Sequence, residues 1–558
     1  MLTLRHTLQA MPAEALEQIE IFEGGNQQMK KTQTKPDIIL IVLDTLRADR
    51  LSCYGYSRET SPYIDAFAAE STLFERAISP AQWTIPAHAS IFTGEYPTTH
   101  LTTQIYDRHN REQIMLAEAL RNVGYNTVSF CNNPLLGVVE NDLDRGFEEV
   151  YLYGGALPNR PAIADARPRL TGRIAQRITR VMRSITRPIQ DRFARDNFIL
   201  RIAVIPWLVP LWQRYANFKG NTALSLRDIV GYLRTRRHKG AEQPLFTFIN
   251  LMETHLPFSP PKRFIRRFAP YYRKERKAYR FMQSYNHKPF DWMMPLTEPL
   301  TEMQDRVLND LYDAEVAYED HLLRHLFAHL NRPSVRDNTL VIITSDHGEG
   351  LNRHDFVGHS LVAYDDLVRV PLIVRFPQQR YKGMRVSTPV STRRIFHTAL
   401  EAVGLQHTGL DNGRVESTLT NLETSSLTRT LNGGDPEGGI VFTEAYTPET
   451  LLTLIKNEDP ERVAAFRCNL MRRAAYQGNY KLITVGDKPD ELFDVVHDPD
   501  EMDNLIGDEP VVTAELEKLL TAFVEEAEKR RPANQEATQV GLDDELVAER
   551  LRGLGYIE

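Results

Sequence analysis

Cysteine is scarce: the 558 residues hold three, Cys53, Cys131 and Cys468, with no C-x-x-C spacing. An odd, scattered set excludes a disulfide framework and a thiolate zinc site, and predicts a reducing compartment. Long apolar runs are missing too. Nowhere do eighteen consecutive apolar residues occur, and the polar N-terminal extension, residues 1–36, lacks the basic start and apolar core of a secretory leader. These absences predict a cytoplasmic protein without a spanning helix. Glutamate is absent from one stretch. Between Arg160 and Lys239 stand eighteen Lys/Arg, four Asp and no Glu, a formal +14, whereas the whole chain carries −7 and the remainder therefore −21. One segment is charged for a different partner.

What is present reads as a soluble α/β protein, too long for one ordinary core, with a large domain and a smaller one. Asp37-Ile-Ile-Leu-Ile-Val-Leu is a continuous apolar run rich in β-branched residues, as a strand covered on both faces should be. Similar runs occur at Leu245 to Met252, Thr339 to Thr344 and Pro371 to Phe376, with further strands expected at Thr72 to Ile78 and Asn126 to Cys131. Helical patterns lie between them, notably over 113–123, 301–331 and 391–404. From about residue 440 the chain changes to short, closely spaced strands followed by charged amphipathic helices over 510–531 and 543–551. That pattern predicts a small antiparallel sheet docked on the main α/β domain.

The basic segment 160–239 interrupts this alternation. Leu170, Ile174, Ile178, Met182 and Ile185 recur at helical spacing among arginines, which describes an amphipathic basic helix. Phe198 to Trp212 follows, apolar but broken by proline and too short to cross a bilayer, with Trp207 and Trp212 suited to an interface. The segment is expected either to touch an anionic membrane, placing the protein peripherally on the inner membrane face with a lipid headgroup as a candidate substrate, or to pack as a lid or homo-oligomer contact. No nucleic-acid motif accompanies the charge. A second basic, aromatic stretch, 262–295, reads as a long loop.

Four strand or loop exits carry chemistry. Asp44 ends the first strand, Glu253-Thr-His255 another, Ser345-Asp346-His347 a third, and His359 lies on a loop just beyond. Trp83 to Gly94 reads W-T-I-P-A-H-A-S-I-F-T-G, in which Pro86 is suited to open a short helix and Thr84 stands ahead of it. A hydroxyl there faces the unpaired N–H groups and positive dipole end that attract phosphate or sulfate. Taken alone, Thr84 reads as a helix cap. Two carboxylates and an imidazole, Asp44, Asp346 and His347, can hold one divalent cation (Mn, Mg, Zn or Ca) with the Thr84 oxygen as a fourth ligand, which would activate that hydroxyl as a nucleophile.

These residues lie in blocks whose order resembles the sulfatase branch of the alkaline phosphatase superfamily. The blocks are D-T-L-R-A-D-R-L-S-C-Y-G-Y from Asp44, T-I-P-A-H-A-S-I-F-T-G from Thr84, E-T-H-L-P-F from Glu253, S-D-H-G-E from Ser345, G-H-S from Gly358, R-V-P-L-I-V-R from Arg369 and E-L-F-D-V-V-H-D-P-D-E-M-D-N-L from Glu491. The resemblance implies a catalytic α/β domain over 37–435 with a central mixed, mostly parallel sheet flanked by helices, a small C-terminal antiparallel sheet over 436–558, and cleavage of phosphate or sulfate esters through a covalent intermediate. The family's sulfatases carry Cys or Ser where Thr84 stands, oxidised to a formylglycine aldehyde, which a secondary alcohol cannot give. His88 replaces the usual arginine, and Thr45 the second aspartate of a pair. A Thr nucleophile with Asp, Asp and His ligands is similar instead to phosphodiesterases and to phosphoethanolamine and glycerolphosphate transferases. The expected reaction is in-line attack by Thr84 on phosphorus, with His88, His255 and His359 hydrogen-bonding the non-bridging oxygens or protonating the leaving group, after which water (a hydrolase) or an acceptor alcohol (a transferase) resolves the phospho-threonine. The alternative is a sulfuric ester hydrolase without formylglycine. Glu253, His255 and His359 are a candidate second cation site roughly 4 Å from the first. A catalytically silent binding protein on this fold would have lost Asp44, Asp346 or the Thr84 hydroxyl, and all three are retained.

Overall fold

The computed structural model describes residues 35–154 apart from 106, 138 and 140, then 160–161, 219–238, 243–287, 292, 295–405 and 425–532. The basic helix and Trp-bearing stretch of the 160–239 segment, and the C-terminal 543–551 helix, lie outside the described residues.

The apolar runs form a central nine-stranded sheet. In chain order its strands begin with β1 (Asp37–Leu43), β2 (Thr72–Ile78), β3 (Asn126–Cys131), β4 (Glu149–Leu152), β5 (Leu245–Leu251) and β6 (Thr339–Thr344). A two-stranded ribbon of β7 (Gly350–Leu351) and β8 (Val357–Gly358) intervenes before β9 (Arg369–Arg375), β10 (Arg385–Val386) and β11 (Val390–Ser391). The spatial order is β10-β2-β9-β6-β1-β5-β3-β4, with β11 also on β2. Only β9 runs against its neighbours, so the sheet is mixed and mostly parallel.

The strands read as continuous apolar runs because both faces are covered. In β1, Ile39, Ile41 and Leu43 pack on one side, while Ile38, Leu40 and Val42 pack on the other. The first side is covered by α1 (Pro62–Ala68), the second by α2 (Thr84–Thr93) and α3 (Leu116–Asn122). The first side also carries α4 (Thr222–His238), α5 (Lys262–Phe268), α6 (Arg276–His287) and the long α7 (Glu302–Leu330), and the second α8 (Arg394–Ala402). Register then places the chemistry. Val42 pairs with Thr344 on one side and Asn250 on the other, so Asp44 and Asp346 each stand two residues beyond paired positions at one sheet edge.

The C-terminal part forms a four-stranded antiparallel sheet of β12 (Val441–Ala445), β13 (Arg472–Gln477), β14 (Tyr480–Val485) and β15 (Lys488–Asp494). One face buries Ala475, Leu482 and Leu492 under α9 (Pro510–Lys529) through Leu516 and Leu520. The other packs Ala474, Tyr476 and Ile483 against Leu367 and Val368 of the large domain.

One expectation needs correction. The 262–295 stretch is not a long loop, since α5 and α6 occupy much of it. Phe264, Ile265 and Phe268, and then Ala278, Phe281, Met282 and Tyr285, recur at helical spacing and are buried, a stripe obscured in the sequence by the many basic residues between them. The end of the basic segment packs on the central sheet, because α4 buries Leu226, Ile229 and Val230 in the main core.

Candidate active site

Asp44 leaves β1 with its N–H on Leu251 O at 2.8 Å and its carbonyl accepting from Thr254 Oγ1 at 2.6 Å. The chain then turns through Thr45 at φ +60°. That turn aims the Thr45 N–H at Asp346 Oδ1, 3.2 Å away, and His347 N donates to the same oxygen at 2.9 Å. Asp44 Oδ2 accepts from Asn133 Nδ2 at 2.8 Å and Asn250 Nδ2 at 3.2 Å. The second oxygen of each carboxylate, Asp44 Oδ1 and Asp346 Oδ2, is buried without a hydrogen-bond partner. His347 Nδ1 lies 2.9 Å from Gly348 O. A carbonyl can only accept, so Nδ1 carries the proton and Nε2 presents a lone pair. That Nε2 is 3.4 Å from Asp346 Oδ2 and 3.3 Å from Thr84 Oγ1.

Among the described residues, Asp44, Asp346 and His347 form the one group of three that brings ligand atoms within 4.8 Å of one another, all of them buried. Burial pushes the Asp44 carboxyl up, helped by the Asp346 charge, and pushes Asp346 up to about 7. The same burial holds His347 down to about 3 and His255 and His359 down to about 4. A buried site with two carboxylates and, among the described residues, no cationic side chain beside their free oxygens is short of positive charge, and two unpartnered oxygens with an imidazole lone pair make a donor set that fits a divalent cation.

Thr84 is the first residue of α2, not a residue ahead of it; Trp83 is the cap, and the helix ends at Gly94 with φ +76°. The helix is buried throughout, which lets an apolar Thr-Ile-Pro start override the expectation that Pro86 opens it. His88, one turn on, sends Nδ1–H to Thr84 O at 2.8 Å, stands 3.5 Å from Asp346 Oδ2, and leaves Nε2 without a hydrogen-bond partner. His255 uses Nδ1 on Leu256 O at 2.7 Å. His359 places Nδ1 3.2 Å from Glu349 Oε2. Ring centroids of His255 and His359 are 5.0 Å apart, and those of His359 and His347 4.6 Å, so the three imidazoles form a row ending at the Asp44–Asp346–His347 group.

Every residue expected at the first site is thus brought together: Asp44, Thr84, His88, His255, Asp346, His347 and His359. The second set is not assembled as a cation site among the described residues. Glu253 faces Lys219 and Thr222, and its backbone carbonyl accepts from Lys219 Nζ at 2.7 Å, while His359 engages Glu349. Three residues escaped sequence reasoning. Asn250 was signalled by its amide in an otherwise apolar strand run, Asn133 by C-N-N-P at a strand exit, and Glu349 by its place in S-D-H-G-E.

The family model described as Sulfatase matches residues 36–405, more than half of the chain. An ulvan-active sulfatase of Formosa agariphila is 24% identical over 85% of this chain and 78% of its own length. An uncharacterized sulfatase, YidJ, of Escherichia coli is 23% identical over 85% and 84% respectively. Among solved structures, the phosphonate monoester hydrolase of Agrobacterium radiobacter superposes with a TM-score of 0.60 at 22% identity, covering 88% of this chain and 96% of that one. The match takes in the strand exits that hold Asp44, Thr84, His255, Asp346, His347 and His359, and with it the chain belongs to the sulfatase family, as an enzyme of the ester-hydrolase kind.

Proposed function

We propose that the protein hydrolyses sulfate or phosphate esters with Thr84 as the nucleophile. The observation that carries this reading is the placement of Thr84 Oγ1 at the buried head of α2, 3.3 Å from Nε2 of His347, the imidazole that groups with the carboxylates of Asp44 and Asp346. Asp44, Asp346 and His347 would hold a divalent cation, which supplies positive charge that lowers the pKa of a neighbouring hydroxyl and stabilises a transferring oxyanion group. Thr84 Oγ loses its proton to solvent and bonds to the sulfur or phosphorus as the bond to the ester oxygen breaks and that oxygen takes a proton from an imidazole; water then cleaves the Thr84 ester, one of its protons returning to Oγ, and the imidazole regains its proton from solvent. His88 holds the first turn of α2 through the Thr84 carbonyl, which orients the hydroxyl. An incoming oxyanion favours the protonated forms of the buried imidazoles, so Nε2–H of His255 or His359 donates to non-bridging oxygens or to the departing oxygen. Glu349 is the carboxylate that supports His359 in this state.

Sulfate esters are favoured by the curated relatives, which are named as sulfatases. Phosphate or phosphonate esters are the second reading, favoured by a nucleophile that cannot become an aldehyde and by phosphonate monoester hydrolases among the structural neighbours. Metal-replete protein assayed on matched aryl sulfate, phosphate monoester, phosphate diester and phosphonate substrates separates them. The expected result is turnover of at least one class that disappears in Thr84→Ala. Wild-type turnover in that variant, or none in any class, overturns the proposal.

A further inference from the structure

The face formed by α5, α6 and the turn between them is strongly cationic. From Lys262 to Arg280, nine of nineteen residues are Lys or Arg and one, Glu275, is acidic. All nine basic side chains are exposed. Among the described residues their one salt bridge joins Arg267 to the exposed Glu59, at 2.8 Å. Acids on α7 behind them do not neutralise the face. Asp310 and Asp313 are committed to Arg58, and Glu315 and Glu319 are buried. The apolar sides of both helices are fixed inward by Phe264, Phe268, Phe281 and Met282, so the charges are held outward as a set. Like charges this dense repel one another, and an external anionic partner relieves that repulsion.

The form of the face selects the partner. The charges stand on the outer sides of two helices laid on α7, and Tyr279, 47% exposed, is the large apolar side chain that stands out among them. A spaced cationic array with one amphipathic aromatic suits a plane of anionic headgroups, without a wedge that penetrates the acyl region. No described helix is long and apolar enough to span a membrane. The face is also joined to the catalytic site. Asn286 of α6 clamps both backbone groups of Phe258, accepting from its N–H at 2.9 Å and donating to its carbonyl at 2.8 Å, three residues after His255.

We propose that the α5–α6 face docks the protein peripherally on an anionic lipid surface. The proposal does not depend on which ester is cleaved. The test is co-sedimentation of the full chain with vesicles of phosphatidylcholine alone and of phosphatidylcholine with phosphatidylserine, at low and high salt. The combined variant Arg266→Glu, Arg273→Glu, Lys277→Glu and Arg280→Glu is compared with the same four positions changed to Gln, with thermal unfolding as the folding check. Wild type is expected to sediment with the serine-containing vesicles only, and less as salt rises. Both variants should lose roughly ten-fold or more in partition while keeping wild-type turnover of a soluble ester. Thr84→Ala should sediment as wild type, which keeps failure of the catalytic reading separate. Absence of wild-type binding at low salt, undiminished binding of the folded variants, or retention by a soluble sulfated polysaccharide without vesicle binding would each overturn the proposal.

Discussion

His347 Nε2 sits 3.3 Å from Thr84 Oγ1 and 3.4 Å from Asp346 Oδ2, while His347 Nδ1 and Asp346 Oδ1 are occupied by backbone. That division fixes which atom of each is offered to chemistry. Thr84→Ala is therefore expected to lower kcat by roughly a thousand-fold or more, with metal content unchanged by elemental analysis, whereas Thr84→Ser keeps measurable turnover. Asn133 acts one step further out by holding Asp44 Oδ2. Asn133→Ala should weaken cation affinity by about 10- to 100-fold, read by titration calorimetry, and an unchanged affinity would remove the positioning role. The sequence marked Asp44, Thr84, Asp346 and His347 as candidates because strand exits and a helix start single out such residues locally. It did not announce Asn133 and Asn250, whose role depends on cross-strand register, nor that Glu253 turns toward Lys219.

The elements that carry these residues are held by tight backbone contacts. The loop after β6 is packed against residues 365–368, where Gly348 N donates to Leu367 O at 2.7 Å. A Cβ at Gly348 would meet Asp366 O at 2.0 Å and Arg47 Cγ at 3.1 Å. Neither can withdraw easily, since Arg47 is buried and bonded to Asp366 and to Glu349 O. Gly348→Ala is expected to cost about 1–3 kcal/mol in denaturant unfolding and to weaken cation binding, whereas Gly434→Ala, with open space around it, should do neither. Equal effects of the two substitutions would remove this account. Central strands such as β1 were legible because they are buried on both faces and the apolar run has no gaps. Helices α5 and α6 were hidden because their inward stripe is sparse among arginines and lysines, and the start of α2 because burial of the whole helix outweighs the local preference of Pro86.

At the scale of the whole molecule, the two parts are joined by buried charge that is paired, whereas the catalytic site is buried charge that is not. Lys481 of β14 reaches Asp365 at 2.8 Å and Glu501 at 2.6 Å, binding the small sheet to the segment that supports the Asp346 loop. Among the described residues Asp44 and Asp346 have no such cationic partner on their free oxygens, and this sets how the protein's stability responds to pH. A carboxyl with a higher pKa folded than unfolded binds its proton more tightly when folded. Its contribution to cation-free stability is complete below the unfolded value near 4 and is lost as pH rises through about 7, the value to which burial pushes Asp346. A bound divalent cation acts oppositely, since it requires the ionised carboxylates and competes with protons below that pH. The midpoint of thermal unfolding with excess Mn²⁺ minus that with chelator should thus be largest near pH 8, where binding at a thousand times Kd contributes about 4 kcal/mol. The difference should shrink through pH 7 and nearly vanish by pH 5. In Asp346→Asn it should be small at every pH. A metal-dependent shift of equal size at pH 5 and pH 8 in the wild-type protein would show that these buried carboxylates do not hold the cation.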